Sequence, residues 1–292
     1  RNLWDSADAL EITLEANPGT IEHGRFEGYR RAGVNRASLG VQSFDDEALR
    51  RIGRIHGADE ARRAVAEVRE GGIGNLNLDL MYALPGQTAG QLDEDLSLAL
   101  SLAPPHLSVY HLTIEPNTWF AKHPPTVPPD DDAYAMLDHI TELTAQAGLE
   151  RYEVSAYARR SHQCQHNTNY WEFGDYLGIG AGAHSKLSFA HRVVRQVRFR
   201  DPQRYMDQAL AGQALAQDNE VRRGDLPFEF MLNALRLRSG FALQDFVERT
   251  GLALTAIEAP LQEAERKGLV QRDLGRVKPT PRGFDFLSDL QE

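Results

Sequence analysis

The sequence predicts an α/β fold. A parallel sheet is laid down by successive strand–helix units, and a smaller, mostly helical region with a winged-helix-like pattern follows. Two observations carry that prediction. Short alternating runs are each followed by a helical stretch that ends on glycine or proline, four times over within residues 11–156, which argues for βα units joined by right-handed crossovers. After Asp201 and Pro202 the character changes to helical periodicity with one short hairpin.

In chain order, residues 11–14, EITL, alternate and read as a strand, stopped by the Asn17-Pro18-Gly19 turn. Residues 21–32 read as a helix closed by Gly33. Residues 36–41 form the next strand, and Ser43 or Asp45 caps a helix over 46–52. A helix over 58–69 ends at Gly71 and Gly72, and residues 75–83, NLNLDLMYA, alternate as a strand before Leu84-Pro85-Gly86. A helix over 89–102 stops at Pro104, a strand covers 107–114, a helix 132–147 and a last strand 152–156. Beyond residue 201, helices are expected over 204–210, 226–237, 241–250 and 254–267. The second of these should bury Phe228, Met231, Leu232 and Leu235. Strands at 268–272 and 277–279 turn at Leu274-Gly275-Arg276, and a helix over 282–290 ends the chain.

Composition bounds the function. The 292 residues suffice for more than one domain. Lys and Arg total 32 against 42 Asp and Glu, a net charge of −10, which argues against nucleic acid held by general electrostatic attraction. No stretch approaches a transmembrane helix, and Arg1 to Trp4 show no apolar core of a signal peptide. One cysteine, Cys164, excludes an internal disulfide, fits a reducing, cytoplasmic setting, and excludes an iron–sulfur cluster held by three or four cysteines of these residues.

Two sets of residues carry chemistry. Residues 161–185 gather Cys164, His166, Asn167, Tyr170 and Trp171, followed by a glycine run at Gly178, Gly180 and Gly182 and by His184. A metal ligand, an amide, a phenol and an indole within six residues suit a large flat aromatic ligand with a metal at its centre. The plainer alternative is core packing and a tight turn. The second set is Glu15, Gln42 and Asp79 at or near strand ends, with Arg54 a helix away. Ligands of parallel sheets sit beyond those ends, although each residue read alone is an ordinary solvated polar group.

The segments EITLEANPGT, RASLGVQSFDDEALRRIGRIH, NLNLDLMYALPGQT, HLSVYHLTIEPNT and GIGAGAHS resemble the radical S-adenosylmethionine proteins related to oxygen-independent coproporphyrinogen III oxidase. His166-Asn167-Thr168-Asn169-Tyr170-Trp171 matches the HNxxYW motif of the HemW branch, the haem chaperones. The resemblance implies a partial parallel (β/α) barrel of radical-SAM type over residues 1–160, a haem-motif and glycine-run segment over 161–200, and a C-terminal winged-helix-like domain over 201–292. It implies haem contacts at His166, Asn167, Tyr170 and Trp171, with His166 the axial ligand and Cys164 its rival. It also implies S-adenosylmethionine contacts at Glu15, Gln42, Arg54, Asp79, Thr113 and His184. Family members carry a CxxxCxxC loop for a 4Fe-4S cluster on an earlier βα unit, so the sequence is expected to be a fragment with four of six barrel strands. The expected function is haem carriage to an acceptor haemoprotein rather than catalysis. A respiratory-chain protein is a candidate acceptor, and transient contact with a membrane protein is part of that expectation. Arg159, Arg160, Arg192, Arg195 and Arg198 are candidate partners of the haem propionates or simply a solvated basic face. The alternatives are an N-terminally truncated coproporphyrinogen III oxidase and a winged-helix binding module.

Overall fold

The structure, a computed structural model, describes residues 10–291; Arg1 to Trp4 lie outside them. The chain divides into two compact units between Gln163 and Cys164.

In the first unit, β1 (Thr13–Ala16), β2 (Arg36–Gln42), β3 (Asn75–Tyr82) and β4 (His106–His111) pair in parallel in that order. The crossovers are α1 (Arg25–Arg31), then α2 (Asp46–Arg51) with α3 (Ala58–Glu70), then α4 (Ala89–Ser101). A short α5 (Trp119–Lys122) and the long α6 (Asp130–Gln146) come after β4. Alternation explains the layering. Leu39 and Val41 of β2, Leu76, Leu78 and Leu80 of β3, and Leu107 and Val109 of β4 are buried in one core. They pack with Val65 and Val68 of α3, Leu92 and Leu96 of α4, and Met136 and Ile140 of α6. The intervening residues, Ser38, Asn77, Asp79, His106 and Ser108, therefore share the opposite face.

Most expected elements form, and the departures have local causes. The first strand lies at 13–16 rather than 11–14, because Asn35 Oδ1 accepts from Ile12 N (2.8 Å) and parallel pairing starts at Thr13↔Arg36. The first helix starts only at Arg25, since Gly24 at its N-cap is left-handed (φ 73°). Asp45 is the cap of α2, accepting from Glu47 N (2.7 Å) and Ala48 N (3.3 Å). The strand expected at 152–156 is a turn between β5 (Glu150–Arg151) and β6 (Ala156–Ala158). β6 folds back antiparallel between β4 and β5, because four residues permit a hairpin but no parallel crossover. The sheet is thus parallel over four strands and mixed at one edge, with β1 at the other.

The second unit opens with α7 (Gln165–Trp171) and an antiparallel sheet of β7 (His184–Phe189), β8 (Arg192–Arg198) and β9 (Leu215–Glu220), with α8 (Pro202–Leu210) before β9. Then come α9 (Leu226–Ala234), β10 (Phe241–Ala242), α10 (Leu243–Thr250), α11 (Thr255–Arg266), β11 (Val270–Arg272) and β12 (Arg276–Pro279). The chain closes with α12 (Pro281–Asp285) and α13 (Leu287–Gln291). β10, β12 and β11 form a small antiparallel sheet, and its β11–β12 pair is the expected hairpin. The expected buried face of α9 is corrected. Leu226, Phe230 and Ala234 are buried, as is Leu235 just beyond, while Phe228 and Leu232 are exposed. Phe230 sets the phase, because its ring meets Phe173, Phe241 and Phe246 edge-on at 5.6, 5.1 and 5.2 Å. The same cluster spans the boundary expected at residue 201. Phe173 and Val193 share one core with Leu226, Phe246 and Leu261, so residues 161–200 have no separate core. Among the described residues, no helix is long and apolar enough to cross a membrane.

Candidate functional site

On the polar face of the first sheet, parallel register aligns Glu15 with Ser38, Ser38 with Asn77, Asn77 with His106, and Asp79 with Ser108. The side chains from Ser38 to Ser108 hydrogen-bond one another. Asn77 Nδ2 donates to Ser38 Oγ (2.8 Å) and Asp79 Oδ1 (2.8 Å), and Ser38 Oγ donates to Asp79 Oδ2 (3.2 Å). Asn77 Oδ1 accepts from Ser108 Oγ (3.1 Å) and lies 2.6 Å from His106 Nδ1. An amide oxygen only accepts, so His106 carries its proton on Nδ1, and Nε2 accepts from Tyr152 Oη at 2.9 Å. That requires a neutral ring. Burial, helped by the Arg36 charge, pushes the His106 pKa down to about 3. Burial pushes the Asp79 carboxyl up, with nearby Glu15 adding to the rise against its hydrogen bonds.

The other predicted residues of this unit gather beside that network. Gln42 is buried and left-handed (φ 69°). The Cβ that Gly40 lacks would lie 3.1 Å from Gln42 Nε2 and 3.4 Å from Asn17 Oδ1, so both amides lie over Gly40. Arg54 Nη1 donates to the same Asn17 oxygen at 3.1 Å. The bend after Gln42 is fastened by Asp95 of α4, which accepts from Ser43 Oγ (2.7 Å) and Phe44 N (2.6 Å). Burial raises the Asp95 pKa to about 6 in spite of those bonds. Glu15, Gln42, Arg54 and Asp79 therefore converge on one end of one face. Thr113 is exposed just past β4, and His184 opens β7 in the second unit.

In the second unit, the residues from Gln165 to Trp171 form a helix, not an extended run. Cys164 is its N-cap residue and is buried, whereas His166 is exposed. Helical geometry separates positions two apart onto different faces, so the shared face that would let Cys164 and His166 reach one site does not form. His166 and Tyr170, four apart, do share a face: their rings meet edge-on at 4.6 Å, and Tyr170 meets Tyr176 at 4.5 Å. Tyr176 Oη accepts from Arg195 Nη1 (2.9 Å), and Arg195 pairs with Glu229 (2.6 Å). Arg236 lies over the Trp171 ring at 4.1 Å.

The turn after α7 is anchored from below. Phe173, left-handed (φ 56°), is buried. Lys186 is 1% exposed, and its three donors are all used, on Phe173 O (2.9 Å), Asp175 Oδ1 (3.0 Å) and Ser188 Oγ (3.0 Å). Asn169, rather than Asn167, ties the turn by donating to Asp175 O (3.0 Å). A Cβ on Gly174 would sit 2.0 Å from Asn169 Oδ1, and one on Gly178 would sit 2.1 Å from His184 O. Both glycines are thus close-approach positions. Of the flanking arginines, Arg195 is taken by Glu229 and Tyr176, and Arg198 donates to Gly178 O at 2.5 Å. Tyr176, Lys186 and Arg236 have no signal in sequence spacing.

The first unit has the parallel strand–helix order of a radical-SAM type scaffold, and comparison with known proteins agrees on that class. Residues 5–99 match the Radical SAM superfamily and residues 221–286 the HemN C-terminal domain. The chain is 44% identical to the heme chaperone HemW of Haemophilus influenzae, covering 99% of this chain and 74% of that protein. It is 46% identical to the Escherichia coli protein of the same name (98% and 75%) and 33% identical to that of Bacillus subtilis (97% and 75%). The chain belongs to the HemW family. Among solved structures, coproporphyrinogen III oxidase (HemN) from Escherichia coli superposes with a TM-score of 0.79 at 23% identity, over 98% of this chain and 69% of that one, a likeness of fold.

Proposed function

We propose that this protein binds haem at α7 and passes it to an acceptor haemoprotein. The observation that carries the proposal is the exposed His166 on a helix with no buried residue, backed edge-on by Tyr170 and then Tyr176. A carrier needs one firm ligand and one open side, so that an acceptor can compete for the iron. An imidazole on an exposed helix offers that. Tyr170 and Trp171 would contribute apolar area to the macrocycle, with Asn167 beside His166 on α7. The names of the relatives support the reading. The likeness to coproporphyrinogen III oxidase is one of fold and gives no reason to prefer the truncated-oxidase alternative. A respiratory-chain haemoprotein remains the proposed acceptor, and the cytoplasm the proposed setting.

S-adenosylmethionine is the proposed ligand of the first unit. The carboxylates of Glu15 and Asp79 would accept from ribose hydroxyls or an ammonium, Arg54 would hold a carboxylate, and Gln42 would add an amide; Thr113 and His184 are further proposed contacts. Bound there, the cofactor would supply the adenosyl and sulfonium groups of this superfamily. A 4Fe-4S cluster does not fit the residues present, since one cysteine cannot replace three.

The test is a haem titration followed by absorption. His166→Ala is expected to abolish or shift the Soret band of the stoichiometric complex, and Cys164→Ser to leave it unchanged. The reverse pattern would make the thiolate the ligand.

A further inference from the structure

We propose that the first unit carries a second small-molecule site, for an apolar zwitterion of amino-acid size. The site is a cavity of about 540 Å³ between the first turn of α4, the N-terminal half of α6 and the extended segment 126–129. It shares no residue with the Glu15, Gln42, Arg54 and Asp79 group, and it does not depend on the haem reading.

Its volume falls in the range of small-molecule sites. Leu92 and Met136, both buried, line it with Pro128 and give it an apolar wall. Gln87, 7% exposed, is part of the lining. Its Oε1 accepts from Leu84 N (3.2 Å), and among the described residues its Nε2 donates to nothing. That Nε2 is left to solvent in the cavity, where a ligand oxygen could accept from it. The first N–H of α4 is at the same place. Ala89 lines the cavity, and its N–H has no acceptor among the described residues. Thr88, the cap residue, is occupied with Gln91 in a capping box. The thirteen-residue α4 turns its positive end toward that point. An amide donor and a helix N-terminus together select a carboxylate.

The cavity also contains a group of opposite demand. Asp132, in the first turn of α6, lines it and makes no hydrogen bond or ion pair among the described residues. A carboxylate there repels a simple anion and accepts an ammonium. Donors for a carboxylate, an acceptor for an ammonium and an apolar wall define the zwitterion.

Calorimetry on the whole chain with three probes tests this: L-phenylalanine, 3-phenylpropanoate and 2-phenylethylamine. Phenylalanine should bind at least tenfold more tightly than either probe that lacks one charge. Asp132→Asn should weaken phenylalanine about tenfold and leave 3-phenylpropanoate unchanged or tighter. Gln87→Leu should weaken phenylalanine and 3-phenylpropanoate alike. Should Gln87→Leu fail to fold by circular dichroism, Asp132→Asn, at an exposed position, decides alone. Equal affinity for all three probes, no heat from phenylalanine at millimolar concentration, or indifference to Asp132→Asn would overturn the proposal.

Discussion

The two units solve opposite problems with polar side chains. In the first, Ser38, Asn77, Asp79, His106 and Ser108 are buried or nearly so and satisfy one another across β2, β3 and β4. In the second, α7 buries none of its own residues and is held by later parts of the chain, the Lys186 and Phe173 anchor and the Arg195–Glu229 pair under Tyr176. A closed network fixes side chains in one arrangement and makes each member expensive to remove. A platform on an anchored turn leaves its outward group replaceable and accessible. The contrast suits the roles proposed for them, one unit shaping a small ligand and the other taking up and releasing a large one.

The contrast breaks first at Asn77. Asn77→Ala strips Asp79 and Ser38 of a donor and His106 and Ser108 of an acceptor, where little water can replace them. We expect a loss of about 3 kcal/mol, measured as a drop in the urea midpoint of the whole chain at constant slope. A loss under about 1 kcal/mol would mean the network is not closed. Next is Lys186→Met, which keeps the stem over Phe173 but leaves Phe173 O without its donor and the half-exposed Asp175 with Ser188 alone. The expected cost is about 2 kcal/mol, together with weaker haem binding, because the turn that carries Tyr176 loses its anchor.

How far the sequence shows this depends on where the apolar residues fall. In β2 and β3 the alternation of RASLGVQ and NLNLDLMY has an apolar half packed under helices, so strand and face are both readable. The same alternation hides the role of His106 in β4, since HLSVYH reads as polar-apolar whether or not the polar half is a network. β9 is exposed along nearly its whole length, LAQDNE, and β8 is RVVRQVR. With so few apolar positions neither gives a strand signal, and the sheet they form with β7 is invisible to periodicity. Glu15, Gln42, Arg54 and Asp79 are legible because strand ends bring together residues far apart in sequence. Tyr176 and Arg236 are not, because their partners are set by the fold of the second unit.

The network also carries a pH signature. His106 is neutral when folded, with its pKa lowered to about 3, so its contribution is present above the unfolded imidazole pKa and is lost as pH falls from there. Asp95 behaves oppositely: with its pKa raised to about 6, stability is present below the unfolded carboxyl pKa and is lost as pH rises through 6. Between pH 4 and 6 the two slopes, each about 1 kcal/mol per pH unit, oppose each other. Asp95→Asn removes the second. Its stability should therefore rise with pH across that window more steeply than that of the unaltered chain, as urea midpoints at several pH values would register. Parallel profiles would mean Asp95 is not protonated in the folded chain.

The smallest expected effect on folding is at His166. Its side chain is exposed, α7 buries no residue, and the edge contact with Tyr170 is of a kind that contributes about 1 kcal/mol when buried and less when wet. Alanine at this position also favours helix over histidine by a few tenths of a kcal/mol. The two terms nearly cancel, so His166→Ala should shift the unfolding free energy by less than about 0.5 kcal/mol while removing the proposed iron ligand. Tyr170→Ala is the sharper companion, because it breaks contacts on both sides, to His166 at 4.6 Å and Tyr176 at 4.5 Å, and should cost about 1–2 kcal/mol. Thermal melts of both variants without haem decide the matter. If His166→Ala destabilises as much as Tyr170→Ala, His166 is part of the packed structure rather than an outward ligand, and the division between a closed unit and an open platform fails.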